Sequence, residues 1–261
     1  MYKEILFEVN NGIATITFNR PEFANAIGDY TVDETVDALN KCGQDDNIRA
    51  VILTGAGKMF SAGGDISKFK RDMDRGEFLT SDYVAHCGRI PMAIRECPKP
   101  VIAMINGSAA GGGLAIALAC DFRVMTEKSK LVSAYIGLGF CGDMGQIKFF
   151  QSFIGVSRTT EILMLSKAIN AQEALDLGLC NRVCEVEKLK DTTMELAIAL
   201  AHQPTQAIAK QKQLFNEFFY GDLEEFILRE AKYMEELART QDHREAVNAF
   251  IEKRKPNFIG K

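Results

Sequence analysis

The sequence lacks the features that mark membrane, metal-binding and nucleic-acid-binding proteins. No apolar run reaches about 20 residues without a charged residue, so no membrane-spanning helix is predicted. The only histidines, His86, His202 and His243, do not cluster, which argues against a histidine metal site. The formal net charge of -4 gives no reason to expect nucleic acid or an anionic membrane as a partner.

Targeting signals and a disulfide framework are also missing. The start, Met1 to Gly12, is typical of a strand rather than a signal peptide, and the final residues match no retention or peroxisomal signal. The seven cysteines are an odd number and are scattered, and Cys180 and Cys184 are too isolated for a zinc site. We therefore expect reduced thiols and a cytoplasmic protein, with 261 residues available for one large core.

A glycine-rich stretch in the middle of the chain is the most informative feature that is present. The apolar run Val101 to Ile105 predicts a buried strand, and Gly111 to Gly113 then precede Leu114 to Ala119, an all-apolar segment that predicts a buried helix. The first N–H groups of a helix have no partner inside it, so an anion or a polarised carbonyl fits there. The alternative is that these glycines serve only close helix packing.

Two nucleotide-binding motifs do not fit this stretch. A dinucleotide fold requires Gly-x-Gly-x-x-Gly, whereas Gly111 to Gly113 are contiguous. A phosphate loop requires Gly-Lys-Ser or Gly-Lys-Thr, and neither occurs. A second glycine-rich loop, Gly55 to Ile66, follows a predicted strand over Ala50 to Thr54 and also opens a helix. Two such loops can place two N–H donors around one oxygen, which is an oxyanion hole.

The order of the predicted elements indicates an α/β protein. Ile5 to Val9 and Ile13 to Phe18 alternate apolar and polar residues around Asn11-Gly12, which predicts a hairpin. From about Thr192 long helical patterns replace strands, so a helical C-terminal region is predicted to start near residue 200. Further expectations are a solvated, mobile segment over Lys68 to Glu77, one helix over Tyr83 to Arg95, a loop over Ser133 to Gly145 and a helix over Val156 to Leu165.

The two glycine-rich loops resemble those of the crotonase (enoyl-CoA hydratase/isomerase) superfamily. The first loop corresponds to Phe60 to Ile66 and the second to Asn106 to Gly113. The resemblance covers essentially the whole chain, since further matches are Asn19-Arg20-Pro21, Asn25-Ala26, Asn248-Ala249-Phe250 and Lys255-Pro256. It implies a crotonase-like ββα spiral over residues 1–200 and a C-terminal helical region over 201–261 that builds trimers or hexamers.

The resemblance also implies a site. The family's two amides fall on Gly64 and Gly112, which would bind the thioester carbonyl of an acyl-coenzyme A substrate. No cofactor and no metal are expected, because coenzyme A enters as part of the substrate. Residues implied to bind substrate or coenzyme A are Phe23, Ala24, Ala62, Gly64, Asp65, Ile66, Gly112 and Tyr135. For Ala62 and Ile66 packing at a helix start is an equal alternative, and Asp65 is most simply a helix N-terminal charge.

The sequence departs from the hydratase pattern at two positions. Family hydratases carry two glutamates that hold and split a water, and the matching positions here are Ala115 and Tyr135. Adding water to a double bond requires a base for the water and an acid for the carbon, so this departure argues against hydration. Tyr135 either hydrogen-bonds the substrate or, as we favour, lines the acyl pocket.

One carboxylate remains in the relevant loop, Asp143. It resembles the aspartate of some crotonase isomerases, and the nearby Phe140, Cys141 and Met144 would raise its pKa and make it a better base. A double-bond shift requires only one such base, so the prediction is an enoyl-CoA isomerase. The alternative for Asp143 is a turn-capping role between glycines.

Other activities compete with isomerisation. Tyr135 followed by Asp143 also resembles chlorobenzoyl-CoA dehalogenase, but that enzyme requires a histidine at the position of Gly88, and His86 lies two residues away on a helix. Hydration, decarboxylation and thioester hydrolysis are further enzymatic alternatives. A non-catalytic acyl-CoA-binding protein is an alternative of a different class.

Overall fold

A computed structural model describes residues 1–261 and contains two sheets. The larger sheet has the strand order β1-β2-β3-β5-β7-β10, in which β1 pairs antiparallel with β2 and the other pairs are parallel. Strands β3 and β5 lie in its centre, which explains their nearly continuous apolar sequence. The strands are β1 (Ile5–Asn10), β2 (Ile13–Phe18), β3 (Ala50–Gly55), β5 (Val101–Ile105), β7 (Phe122–Thr126) and β10 (Arg182–Cys184).

The smaller sheet consists of four short strands in the order β4-β6-β8-β9. Its members are β4 (Met59–Ser61), β6 (Ser108–Ala110), β8 (Lys130–Val132) and β9 (Ile169–Asn170). Three consecutive units therefore each contribute one strand to each sheet and then a helix. The units are β3-β4-α2, with α2 over Ile66–Asp74, β5-β6-α5, with α5 over Gly112–Ala119, and β7-β8-α6, with α6 over Gln146–Met164. This is the predicted ββα spiral.

Eleven α-helices surround the sheets. They are α1 (Thr31–Gln44), α2 (Ile66–Asp74), α3 (Ser81–Cys87), α4 (Arg89–Glu96), α5 (Gly112–Ala119), α6 (Gln146–Met164), α7 (Ala171–Asp176), α8 (Leu189–Ala201), α9 (Thr205–Phe219), α10 (Leu223–Leu237) and α11 (Gln241–Ile251). None of them combines the length and the apolar character needed to cross a bilayer.

The main core is built around helix α5. All eight of its residues are buried, which explains why the segment has no polar face. The helix belongs to a cluster of 43 buried apolar residues that includes β3, β5 and the first half of α6. Because this helix is enclosed, the main chain at its start is held rigidly.

The predicted α/β class and the C-terminal helical region are confirmed, whereas several element boundaries differ. The predicted helix over Tyr83 to Arg95 is two helices that meet at Gly88, where an added Cβ would lie 2.4 Å from the Ile227 side chain. The charged segment Lys68 to Glu77 is largely helix α2, which has no buried residue. The predicted helix over Val156 to Leu165 is the second half of α6, after a break at Gly155. Ser133 to Gly145 lies between β8 and α6 and contains one 3-10 turn, Ile136–Leu138.

The helices after the last strand pack in two different places. Helix α8 lies on the larger sheet, where Leu189, Leu196 and Ala197 are buried against strand residues. Helices α10 and α11 instead contact α3 and α2, beside the second half of the spiral. The C-terminal region therefore reaches the same part of the molecule as the glycine-rich loops.

Candidate active site

The pairing of two short strands places the glycine-rich loops side by side. Strands β4 and β6 are parallel, with Met59 opposite Ser108 and Ser61 opposite Ala109. The chain leaves both strands at the same end, so the two loops meet directly. An added Cβ at Gly63, whose φ is +78°, would lie 2.6 Å from the Gly112 nitrogen. Only glycine permits this approach.

Each loop presents an amide that has no acceptor in its own helix. The Gly64 amide has no main-chain hydrogen bond. Gly112 is the first residue of α5, where N–H groups lack an intrahelical acceptor. Gly111 turns the chain into this helix with a φ of +50°, and its carbonyl accepts hydrogen bonds from the amides of Leu114 and Ala115.

An early segment of the chain is bound to the first loop by main-chain hydrogen bonds. The Ala62 N–H donates to the Ala24 carbonyl at 3.0 Å, and the Ile27 N–H donates to the Gly63 carbonyl at 2.8 Å. The buried Asn25 side chain donates to the carbonyls of Ala56 and Met59, both at 2.8 Å. These contacts explain the position of the Asn25-Ala26 motif.

A cavity of about 510 Å³ opens beside these loops, and 20 of its 27 lining residues are apolar. Every site residue that the sequence predicts lines this one cavity. These residues are Phe23, Ala24, Ala62, Gly64, Asp65, Ile66, Gly112, Tyr135 and Asp143. An apolar cavity with a few convergent polar groups has the character of a small-molecule site.

The Asp143 carboxylate is bonded to Tyr135, a contact that the sequence did not reveal. The Tyr135 hydroxyl donates to Asp143 Oδ1. Burial raises the pKa of Asp143 to about 6, although the Tyr135 hydrogen bond lowers it. Burial and the nearby Asp143 charge raise the pKa of Tyr135 well above its usual value, so the phenol stays a donor. Tyr135 therefore lines the cavity and also orients the carboxylate.

The loop that carries Asp143 has an unusual backbone. Gly142, Met144 and Gly145 all have positive φ values, of 130°, 56° and 76°. Met144 is 1% exposed, and an added Cβ at Gly112 would lie 2.8 Å from its sulfur. A non-glycine residue in this conformation costs about 1 kcal/mol or more and persists only where its surroundings enforce it.

Two polar side chains that sequence reasoning missed hold this loop. The buried Gln146 donates from Nε2 to the Gly111 carbonyl at 2.9 Å and accepts from Ser133 Oγ at 2.8 Å. Glu230 of α10 accepts the Gly145 N–H at 2.8 Å. Both residues lie in helices whose sequence gives no sign of a site.

Aromatic and C-terminal residues close the rest of the cavity. The Phe69 ring lies over Gly64, so an added Cβ there would be 2.8 Å from Phe69 Cζ. Phe69 and Phe140 pack edge to face, with ring centroids 6.2 Å apart. Met234 of α10 and Phe250 of α11 also line the cavity.

Three of the residues that the sequence comparison with hydratases and dehalogenases singled out, Ala115, Gly88 and His86, lie outside the cavity lining. Ala115 is fully buried within α5 and is not among the lining residues. Gly88 packs against Ile227, away from the cavity lining. The His86 side chain is 38% exposed, with Nε2 3.7 Å from Asp33 Oδ2. No histidine therefore occupies the position that the dehalogenase pattern requires.

Sequence and structure comparisons identify the family of the chain. The model of the enoyl-CoA hydratase/isomerase family matches residues 8–261. The chain belongs to this family. The resemblance to the crotonase superfamily is thereby confirmed, and the chain is an acyl-CoA-processing member of it.

The relatives within the family differ in activity. The chain is 32% identical over 261 residues to a trans-2-decenoyl-[acyl-carrier-protein] isomerase of Streptococcus mutans, covering 100% of the chain and 99% of the relative. It is 34% identical to a 1,2-epoxyphenylacetyl-CoA isomerase of Escherichia coli, and all of both chains is covered. The crystal structure of an enoyl-CoA hydratase from Mycobacterium avium subsp. paratuberculosis superposes with a TM-score of 0.89 at 27% identity, covering 99% of this chain and 100% of that one.

Proposed function

We propose that the chain is an enoyl-thioester isomerase that shifts a double bond with Asp143 as its single acid/base group. The observation that carries this proposal is the Asp143 carboxyl, which lines the apolar cavity beside both glycine-rich loops. Its raised pKa of about 6 suits a base that works near neutral pH. The chain needs no second carboxylate for this reaction.

The reaction follows from three groups. Asp143 removes a proton from the carbon chain of the substrate. The electron pair moves toward the thioester oxygen, where the amides of Gly64 and Gly112 stabilise the negative charge. Asp143 then returns the proton to a different carbon, and the double bond has moved with no change in composition.

The residues at the hydratase positions favour isomerisation over hydration. Ala115 has no ionisable group, and the Tyr135 hydroxyl is already bonded to Asp143. Neither hydratase position therefore supplies a carboxylate to hold and split a water. Two relatives named isomerases support an isomerase activity; the name of the first suggests an enoyl group carried on acyl carrier protein, and that of the second suggests a coenzyme A thioester.

Replacing the proposed base tests this function. We expect Asp143→Asn to slow double-bond migration by about 10²- to 10⁴-fold, because general-base catalysis contributes that much. Purified protein is incubated with 3-enoyl-, 2-enoyl- and aromatic-CoA thioesters, with ultraviolet and mass readouts, and acyl-CoA binding is measured separately. Asp176→Asn, on the surface of α7, is the matched control.

The outcomes separate the candidate functions. Isomerisation leaves the mass unchanged, whereas hydration adds one water to the product. A fully active Asp143→Asn variant would exclude Asp143 as the base. Tight binding with no turnover of any thioester would favour a non-catalytic acyl-CoA-binding protein.

We also propose that copies of the chain assemble through helix α9 into a trimer or a dimer of trimers. Leu214, Phe215, Phe218 and Phe219 are exposed on this helix, and Phe218 is 77% exposed. Phe215, Phe218 and Phe219 line a groove of about 720 Å³. Such an apolar patch is typical of a protein interface, and the family resemblance implies trimers.

Sedimentation velocity tests this assembly. We expect Phe218→Asp to shift the wild-type oligomer to monomer, because a buried unpaired charge is costly at an interface. Val156→Asp is the matched control, since Val156 is a similarly exposed apolar residue on α6. A monomeric wild type would contradict the proposal.

A further inference from the structure

Glu230 is a buried acid next to the site that the proposed reaction does not use. It lies on α10 and is 4% exposed. Its Oε2 accepts the Gly145 N–H at 2.8 Å, while its Oε1 is buried without a hydrogen-bond partner. Oε1 faces Gly142, where an added Cβ would lie 3.9 Å from it. Glu230 therefore lies against the loop that carries Asp143, next to Gly142 on one side of the base and Gly145 on the other.

No cation compensates this carboxyl. Glu230 takes part in none of the ion pairs of the protein, whereas the largely buried Asp121 is paired with Arg95 and Lys212. An ionised carboxylate with one free oxygen in such a place is costly, so the neutral acid is favoured.

The pKa of Glu230 agrees with the geometry. The pKa of Glu230 is raised to about 8, chiefly by burial; the Gly145 hydrogen bond lowers it, and the nearby Asp143 charge adds a smaller increase. The start of helix α6 also favours a negative charge, but burial outweighs both effects.

We propose that Glu230 is a positioning residue for Asp143, and that it works as a neutral carboxylic acid. It binds the Gly145 N–H and so fixes a loop in which Gly142, Met144 and Gly145 all have positive φ. Because it is neutral, it adds no second negative charge beside the base or the enolate. This inference rests on the proposed role of Asp143.

A dependence on pH follows from this arrangement. The ionisable groups that face Glu230 or its loop are Asp143 and Cys141, Tyr135 before the loop, and Cys87 on α3. Burial raises the pKa of Cys141 to about 11 and that of Cys87 to about 12, and it raises that of Tyr135 well above its usual value. Ionisation of Glu230 is therefore the step expected near pH 8, and the new charge opposes enolate formation.

Three variants test the proposal through the pH profile of kcat. In the wild type kcat should fall above about pH 8. Glu230→Gln keeps an acceptor for Gly145 but cannot ionise, so its kcat should match the wild type at pH 7 and exceed it by about tenfold at pH 9. Glu230→Ala also cannot ionise but leaves the Gly145 N–H unpaired, so its kcat should lie about tenfold below that of Glu230→Gln at every pH. Glu225→Gln, an exposed position on the same helix, should match the wild type throughout.

An infrared measurement makes the test independent of turnover. The difference spectrum between wild type and Glu230→Gln at pH 7 should contain the C=O stretch of a neutral carboxylic acid. Absence of this band would overturn the proposal, as would an alkaline fall in kcat that persists in Glu230→Gln. A full kcat in folded Glu230→Ala, checked by circular dichroism, would also overturn it. If Asp143→Asn stays active while the band is present, the proposed reaction fails and the neutral state of Glu230 stands.

Discussion

The amide side of the cavity, after strands β4 and β6, is placed largely by main-chain hydrogen bonds, whereas the carboxylate side, from Gly139 to Gly145, depends more on hydrogen bonds to side chains. On the amide side, strand pairing and bonds such as Ile27 to Gly63 set the geometry. On the carboxylate side, Tyr135, Gln146 and Glu230 make the contacts.

Because of this difference, a substitution changes the functional groups of the carboxylate side more readily than the main-chain donors of the amide side. Main-chain donors are the same whatever side chain a residue carries, so the amide side suits any reaction that passes through a thioester oxyanion. The carboxylate side depends on which side chains are present. Tyr135 and Asp143 lie on this side of the cavity, and the family relatives include isomerases and hydratases. Substitutions on the carboxylate side can thus change the reaction while the main-chain donors of the amide side stay the same.

A side chain added where the two glycine-rich loops meet should cause the largest loss of activity on the amide side. Gly63→Ala would place a methyl 2.6 Å from both the Ala110 oxygen and the Gly112 nitrogen. We expect the loops to separate and kcat to fall by about 10²- to 10³-fold, the usual cost of losing one oxyanion donor. Steady-state kinetics with a 3-enoyl-CoA substrate measures this effect.

Gly76→Ala is the control for backbone strain. Gly76 has a φ of +76°, close to that of Gly63, but an added Cβ there meets no atom within 4 Å. Its kcat should stay near the wild-type value. An equal loss of kcat in Gly63→Ala and Gly76→Ala would show that the backbone strain of alanine at positive φ, and not the close contact between the two loops, causes the loss.

On the carboxylate side, removing one hydrogen bond to Asp143 should have a smaller effect that depends on pH. Tyr135→Phe removes the donor that favours ionised Asp143, so the pKa of Asp143 should rise above about 6. Since the base must be ionised, the acid limb of kcat/KM moves to higher pH. We expect a loss of about tenfold at low pH and little loss at pH 8.

The pH dependence of kcat/KM between pH 5 and 9 measures this shift. Tyr233→Phe, an exposed tyrosine on α10, should leave the profile unchanged. An unshifted acid limb in Tyr135→Phe would mean that the hydrogen bond to Asp143 does not set the ionisation of the base.

The sequence predicted several strands with their observed bounds, whereas others were missed. The central strand Val101–Ile105 and the hairpin strand Ile13–Phe18 were predicted with their observed bounds. The three-residue strands β4 and β6 were missed, because both lie within the glycine-rich stretches that were interpreted as loops. Gly88 also went unnoticed as a break, since its reason is the contact with Ile227 from a distant helix.

The site could be located from sequence, but its supporting contacts could not. The glycine-rich loops and Asp143 lie at family positions, so their common cavity was predictable. Glu230 lies in an amphipathic helix near Glu224 and Glu225, which are ordinary surface charges. Its burial arises only when α10 packs on the Asp143 loop. The Tyr135 contact likewise depends on a loop whose positive φ values no pattern indicates.

The folding back of α10 and α11 over the spiral has a consequence during synthesis. Strands β1 to β10 are complete once Cys184 has been made, so the two sheets can form while the chain is still growing. Glu230, Met234 and Phe250, which support or line the cavity, emerge from the ribosome much later. A nascent chain can thus contain both folded sheets for several seconds before the cavity that binds the substrate is complete.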